Sequence, residues 1–141
     1  MWIRQHQELV KDVKKETIWA LWNDVNHWPT WHGDLDYCQL KGDFAVGNFF
    51  MLKPKKAPAV KIIITDLVES KSFTDCTQFF GAKMTDTHVL EETPEGLLLT
   101  NTLTVTGPLK WLWIHLVARH VADSVPDEMK SLVNIARQQH A

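Results

Sequence analysis

An α+β fold, in which a twisted antiparallel sheet wraps a long C-terminal helix and leaves an apolar pocket between them, is what this sequence predicts, and three features predict it. Six runs between Tyr37 and Thr106 carry strand character and are separated by short turn-forming clusters. The segment from Leu109 to about Gln138 instead places Ile114, Ala118, Val121, Val125, Met129, Leu132 and Ala136 on one narrow helical stripe. Finally, 141 residues with 45% hydrophobic and 23% charged content suit one domain over residues 1–141 whose core needs no disulfide or structural metal.

In chain order, Trp2 to Leu9 reads as an opening strand, and Asp12 is placed to cap a helix that buries Ile18, Trp19 and Trp22 and stops near Asn26. Pro29 then favours a break with a second short helix or turn anchored by Trp28 and Trp31. Strands follow over Tyr37 to Leu40, Gly47 to Lys53, Ala59 to Glu69, Ser72 to Phe80, Lys83 to Glu92 and Leu97 to Thr106, a seven-stranded sheet once the first strand is counted. Their short connections imply an antiparallel meander. Gly107-Pro108 ends the last strand, and Pro126 predicts a kink or a two-piece helix near Ser124 to Asp127.

Charge excludes some functions. Lys+Arg 15 against Asp+Glu 17 gives a net charge of -2, without the basic excess that a nucleic-acid partner requires. Met1 to Val10 lacks a signal-peptide core, and Leu109 to Ala118 is too short and too polar to be an integral membrane segment. Cys38 and Cys76 stand far apart without metal spacing, which suits free thiols in the cytoplasm. Nucleotide loops, a nucleophile elbow and zinc motifs are all missing, so no cofactor and no metal is expected. His27, His32, Asp34 and Asp36 concentrate metal-capable groups, but read better as a solvated loop.

One sheet face is informative. A two-residue turn at Gly81-Ala82 sets Phe79 opposite Met84 and Asp75 opposite His88, and pairing Leu90 with Leu99 sets His88 opposite Asn101. The apolar face of Phe73, Phe79, Met84, Leu90, Leu99, Leu103 and Val105 is thereby interrupted by Asp75, His88 and Asn101. Such a row is either the polar floor of a pocket or a satisfied structural cluster. One further residue in the turn would put Cys76 in place of Asp75.

Ile18-Trp19-Ala20-Leu21-Trp22 with Asp24 and Trp28-Pro29-Thr30-Trp31, Gly81-Ala82-Lys83-Met84 leading to His88-Val89-Leu90-Glu91, and Thr104-Val105-Thr106-Gly107-Pro108-Leu109 follow one another in an order that covers nearly the whole chain. Together they resemble the polyketide cyclase/dehydrase branch of the START-related (Bet v 1-like, SRPBCC) helix-grip superfamily. The resemblance implies a strand, two short helices, six more antiparallel strands and a gripped C-terminal helix. It also implies a cavity for lipids, polyketides, quinones or other apolar molecules. Some members of this superfamily are cyclases or dehydratases, so the resemblance does not assign catalysis.

The expected function is therefore binding or transport of a hydrophobic small molecule, with Trp19, Phe73, Phe79, Met84, Leu99, Ile114 and Ala118 as walls and Asp75, His88 and Asn101 at its polar end. The enzymatic alternative makes His88 with Asp75 a general base, with Asn101 or Arg119 stabilising an enolate. Trp111, Trp113 and their neighbours make the start of the last helix apolar nearly all round; packing on the Trp28 to Trp31 turn is the expected cover, and a pocket mouth, a homodimer face or a surface meeting membrane-borne ligand are the alternatives.

Overall fold

The computed structural model describes residues 1–139. Strand β1 (Trp2–Val10) precedes helix α1 (Lys15–Asn23) and a 3-10 turn (Val25–Thr30). Six strands follow in sequence: β2 (Leu35–Lys41), β3 (Phe49–Pro54), β4 (Val60–Val68), β5 (Ser72–Phe79), β6 (Ala82–Thr93) and β7 (Gly96–Thr106). The chain then forms a short helix α2 (Lys110–Trp113), a π-helical turn (Ile114–Ala118) and the long helix α3 (Arg119–Gln138). All seven strands join one antiparallel sheet in the order β1-β7-β6-β5-β4-β3-β2, so the meander closes against its own first strand. This is the α+β architecture expected from the period change along the sequence.

Three local expectations are corrected. Asp12 does not cap α1: its φ of 63° turns the chain, and α1 begins at Lys15 without a side-chain cap. The last helix does not divide at Pro126, because α3 runs through it; the irregularity is the π turn at 114–118. Beside it Ala122 joins Ile114 and Ala118 in the core and Val121 is only partly buried, while Val125, Met129, Leu132 and Ala136 are buried as expected. The β5–β6 turn is Phe80-Gly81, not Gly81-Ala82, since Phe79 pairs with Ala82.

The glycines explain the last change. Gly81 has φ +75°, and a Cβ there would stand 2.6 Å from the Leu109 side chain. Leu109 N–H also donates to Gly81 O at 2.9 Å, so the turn is clamped to the start of the last helical region. Gly107, at φ +117°, approaches the same turn so closely that a Cβ would lie 2.6 Å from Gly81 O. Gly81 takes its positive φ as the second turn residue, rather than as the first as expected, which places the turn one position earlier and moves the β5–β6 register by two residues.

The core has two parts. Trp19, Trp22, Trp28, Phe50, Phe73 and Leu99 belong to a large cluster under α1, the 3-10 turn and the C-terminal half of α3. Met84, Leu103, Val105, Ile114, Ala118 and Ala122 form a smaller one under the π turn. Replacing Gly81 by alanine should lower stability by about 1–3 kcal/mol, through backbone strain and the Leu109 clash. Chemical denaturation checks this; an unchanged midpoint would contradict the clamp.

Candidate functional site

The polar row lies between the two apolar clusters. The pleat turns Phe73, Asp75 and Thr77 of β5 to the same side as Met84, Asp86, His88 and Leu90 of β6 and Leu99, Asn101 and Leu103 of β7. Leu90 pairs with Leu99 and His88 with Asn101, as expected. On β5 the two-residue shift preserves the face but changes partners: Asp75 stands opposite Asp86, and Phe73 stands opposite His88. Cys76 does not enter the row. A bulge in β4 between Ile64 and Asp66 lies beside Asp75, whose other neighbour is the fully buried Ile64.

Hydrogen bonding in the row is incomplete. Asn101 Nδ2 donates to Asp86 Oδ1 at 2.6 Å, and His88 Nε2 lies 3.7 Å from Asp86 Oδ2. Asp75 is only 6% exposed and no described residue donates a hydrogen bond to its carboxyl, while the fully buried side-chain atoms without a hydrogen-bond partner among the described residues are His6 Nε2 and His88 Nδ1. The His88 ring is stacked on Phe73 at 4.0 Å between centroids and edge-on to Trp22 at 5.5 Å, so its orientation is fixed by packing. Ligand-capable atoms of Asp75, Asp86 and His88 all lie within 4.8 Å of one another.

Helix α3 adds Glu128, whose Oε2 meets His32 Nε2 at 3.1 Å. Burial pushes the Asp75 carboxyl well above the usual carboxylate range, and the charges of Asp86 and Glu128 push it further. Burial also raises Asp86; His88 and the Asn101 hydrogen bond oppose that rise and Glu128 adds to it. Burial pulls His32 down, but the Glu128 hydrogen bond and charge, with Asp34, lift it above its ordinary value overall. The Cys38 thiol is pushed up to about 12, first by burial and then by Glu128. Glu128 thus bears on four groups facing the interior.

Chains of this shape are already known. No protein-family model matches the sequence, and no curated protein matches it. Among solved structures, norcoclaurine synthase from Thalictrum flavum, in complex with dopamine and hydroxybenzaldehyde, superposes with a TM-score of 0.73 at 12% identity over 95% of this chain and 85% of that one. The di-domain ARO/CYC StfQ of the steffimycin biosynthetic pathway gives 0.80 at 12% identity, over 98% of this chain and 51% of that one. Major latex-like protein 151 from Panax ginseng gives 0.71 at 15% identity, over 96% and 97%. The fold is the helix grip.

Within that helix-grip frame the residues singled out from the sequence fall in different places. Trp19, Phe73 and Leu99 are packed in the large cluster, so on the Phe73 side the expected apolar pocket is occupied by aromatic rings. Met84, Ile114 and Ala118 line the smaller cluster, and Phe79 stacks on Trp113 at 4.5 Å at its end. Arg119 is exposed, because it sits one residue, about 100°, round the helix from buried Ala118. Trp113 Nε1 donates to Phe80 O at 2.7 Å, whereas Trp111, Leu112 and Leu116 are exposed rather than covered by the Trp28 to Trp31 turn. In the loop read as solvated, His27 pairs with Asp24 and Asp36 with Lys53, while His32 turns to Glu128 of α3.

Two depressions, of about 280 and 200 Å³, lie near Val10 and contain no residue of the row. Access to the row is read instead from Asp86 and His88, which face inward yet keep 18% and 14% of their side-chain surface. Asp86 and Glu128 are the residues that sequence reasoning missed. Asp86 shares the parity of Met84, His88 and Leu90, and Glu128 stands three residues from Val125 and seven from Val121, so both signals were present.

Because the folded-state pKa values of Asp75 and Asp86 are raised, the native protein holds protons that the unfolded chain releases. Their stabilising contribution is present below the unfolded carboxylate pKa, about 4, and is lost as pH rises through the folded values. Asp75→Asn should therefore raise stability at neutral pH, by about 1.4 kcal/mol for each tenfold by which ionisation is disfavoured, and flatten the fall with pH. Thermal unfolding of both proteins across pH checks this; a lower melting temperature for Asp75→Asn throughout would contradict it.

Proposed function

We propose that the chain binds an apolar small molecule in the interior between the sheet and α3, with the molecule's hydrogen-bond-donating end on the Asp75–Asp86–His88 row. The observation that carries this reading is Asp75, a buried carboxyl without a hydrogen-bond donor on the face where Asp86 and His88 retain accessible surface. An unsatisfied buried polar group costs about 1–3 kcal/mol, and a ligand hydroxyl, phenol or amine placed there offsets it. Met84, Leu103, Ile114, Ala118 and Ala122 supply an apolar wall beside the row, with two small side chains on the helix. Carboxylate-ended ligands are disfavoured by the like charge of the row.

The free, buried Cys38 and Cys76 support a reducing, cytoplasmic setting. Among the described residues no helix is long and apolar enough to cross a membrane. Among lipids, polyketides and quinone-like molecules, this reading admits those that end in a hydroxyl, phenol or amine. The exposed Trp111, Leu112 and Leu116 support a homodimer contact.

A second reading is favoured by one contact. His88 Nε2 stands 3.7 Å from Asp86 Oδ2, and this pair, rather than His88 with Asp75, has the arrangement of an imidazole base oriented by a carboxylate. In that case Asn101 orients Asp86, and the chemistry is proton abstraction in a cyclisation or dehydration.

A panel of aromatic and polycyclic molecules matched in size, ending in amine, phenol or carboxylate and added in metal-free buffer, tests the binding reading. Amine- and phenol-ended members should raise the melting temperature in a concentration-dependent way, and carboxylates should not. Equal responses across the three ends, or none, would overturn it.

A further inference from the structure

Two carboxyls and an imidazole converge from adjacent strands on the buried side of the sheet, and their ligand-capable atoms lie within 4.8 Å of one another. Atoms bound to one divalent cation at about 2.0–2.2 Å stand up to roughly 4.4 Å apart, so closing onto an ion requires side-chain shifts well under about 1 Å. The groups are held close to that geometry already. Phe73 and Trp22 fix the His88 ring, Asn101 fixes one Asp86 oxygen and leaves the other 3.7 Å from His88 Nε2, and Asp75 projects from the strand beside the β4 bulge.

Acidic clusters alone are common and need no ion. Here a second observation points to an occupant. Asp75 is 94% buried by the complement of its 6% exposure, no described donor reaches its carboxylate, and it faces Asp86 directly across the ladder. His88 Nδ1 is also buried without a partner. Leaving an ionised carboxylate uncompensated in such a place costs several kcal/mol, and facing a second one costs more. A cation between them removes both costs at once, whereas a shared proton removes only part.

We propose that Asp75, Asp86 and His88 bind one divalent transition-metal ion in the interior. Two carboxylate oxygens with one imidazole nitrogen suit ions of the manganese to zinc series, while the nitrogen donor and the low count of oxygens disfavour calcium. Three protein ligands leave coordination positions open toward the interior, with Glu128 on the facing helix. The site is a property of the protein alone and does not rest on the ligand reading.

The test strips the full chain with a chelator and titrates it with Zn²⁺ or Mn²⁺ while thermal unfolding is followed, with Mg²⁺ and Ca²⁺ for comparison. Wild type should show a saturable rise in melting temperature with Zn²⁺ and Mn²⁺ and a much smaller one with Mg²⁺ and Ca²⁺. Asp75→Asn and Asp86→Asn should each weaken binding at least about tenfold, since loss of even an outer partner costs that much. Metal-free Asp75→Asn should be no less stable than wild type, which separates lost binding from lost folding. In proton NMR of wild type, Mn²⁺ should broaden the indole signal of Trp22, the ring edge-on to His88 at 5.5 Å. No shift in wild type, or unchanged affinity in both variants, would overturn the site; either result leaves the organic-ligand panel to stand or fall separately.

Discussion

Asp75 and Asp86 face each other across adjacent strands on the buried side of the sheet, and that juxtaposition constrains everything around it. Ordinary core packing would place apolar side chains at both positions. Instead the apolar interior is divided, with a Trp-rich cluster on one side and a smaller cluster under the π turn on the other. Each neighbour of the pair answers its charge in part: Asn101 donates to Asp86, His88 stands near the same carboxyl, and Glu128 turns its own charge to His32. None of them reaches Asp75. The energetic consequence is a native state that holds protons at these carboxyls more tightly than the unfolded chain does.

The surrounding fold is what makes such a pair tolerable. Sheet strands hold the two carboxyls at fixed register, and the aromatic cluster of Trp22, Phe73 and His88 offsets a local cost through buried area and ring contacts. The Gly81 turn and the Gly107 approach anchor β5 and β6 to the last helical region, so the register that opposes Asp75 to Asp86 is set by backbone geometry some distance from the row. A helix grip of this kind is shared, at 12–15% identity, with proteins as different as a norcoclaurine synthase and a major latex-like protein, so the fold itself does not select the chemistry. The side chains of the row do.

Much of the architecture was legible because the two periods were strong. Alternation fixed the strands and their inner face, and the helical stripe from Ile114 to Ala136 fixed the buried side of the last helix. Pairing of His88 with Asn101 followed once Leu90 was set opposite Leu99, as both pairs are in the sheet. Register across β5 and β6 did not, because a glycine turn can close on either side of Gly81, and only its contact with Leu109 decides between them. The continuity of α3 through Pro126 and the filling of the Phe73 side by Trp22 and Phe44 depend on tertiary packing that no local window contains. Asp86 and Glu128 were within reach of parity and helical spacing, but a charged residue on an apolar face is most easily read as solvent-facing.

The central claim is that Asp75 remains uncompensated inside the metal-free protein. Carbon-13 NMR titration of the aspartate side-chain carboxyls, assigned with Asp75→Asn, measures it directly. The account predicts that Asp75 still carries its proton at a pH where the exposed aspartates have ionised, and that ionisation there is accompanied by a loss of stability. Titration of Asp75 together with the surface carboxylates, near the ordinary value of about 4, would contradict it.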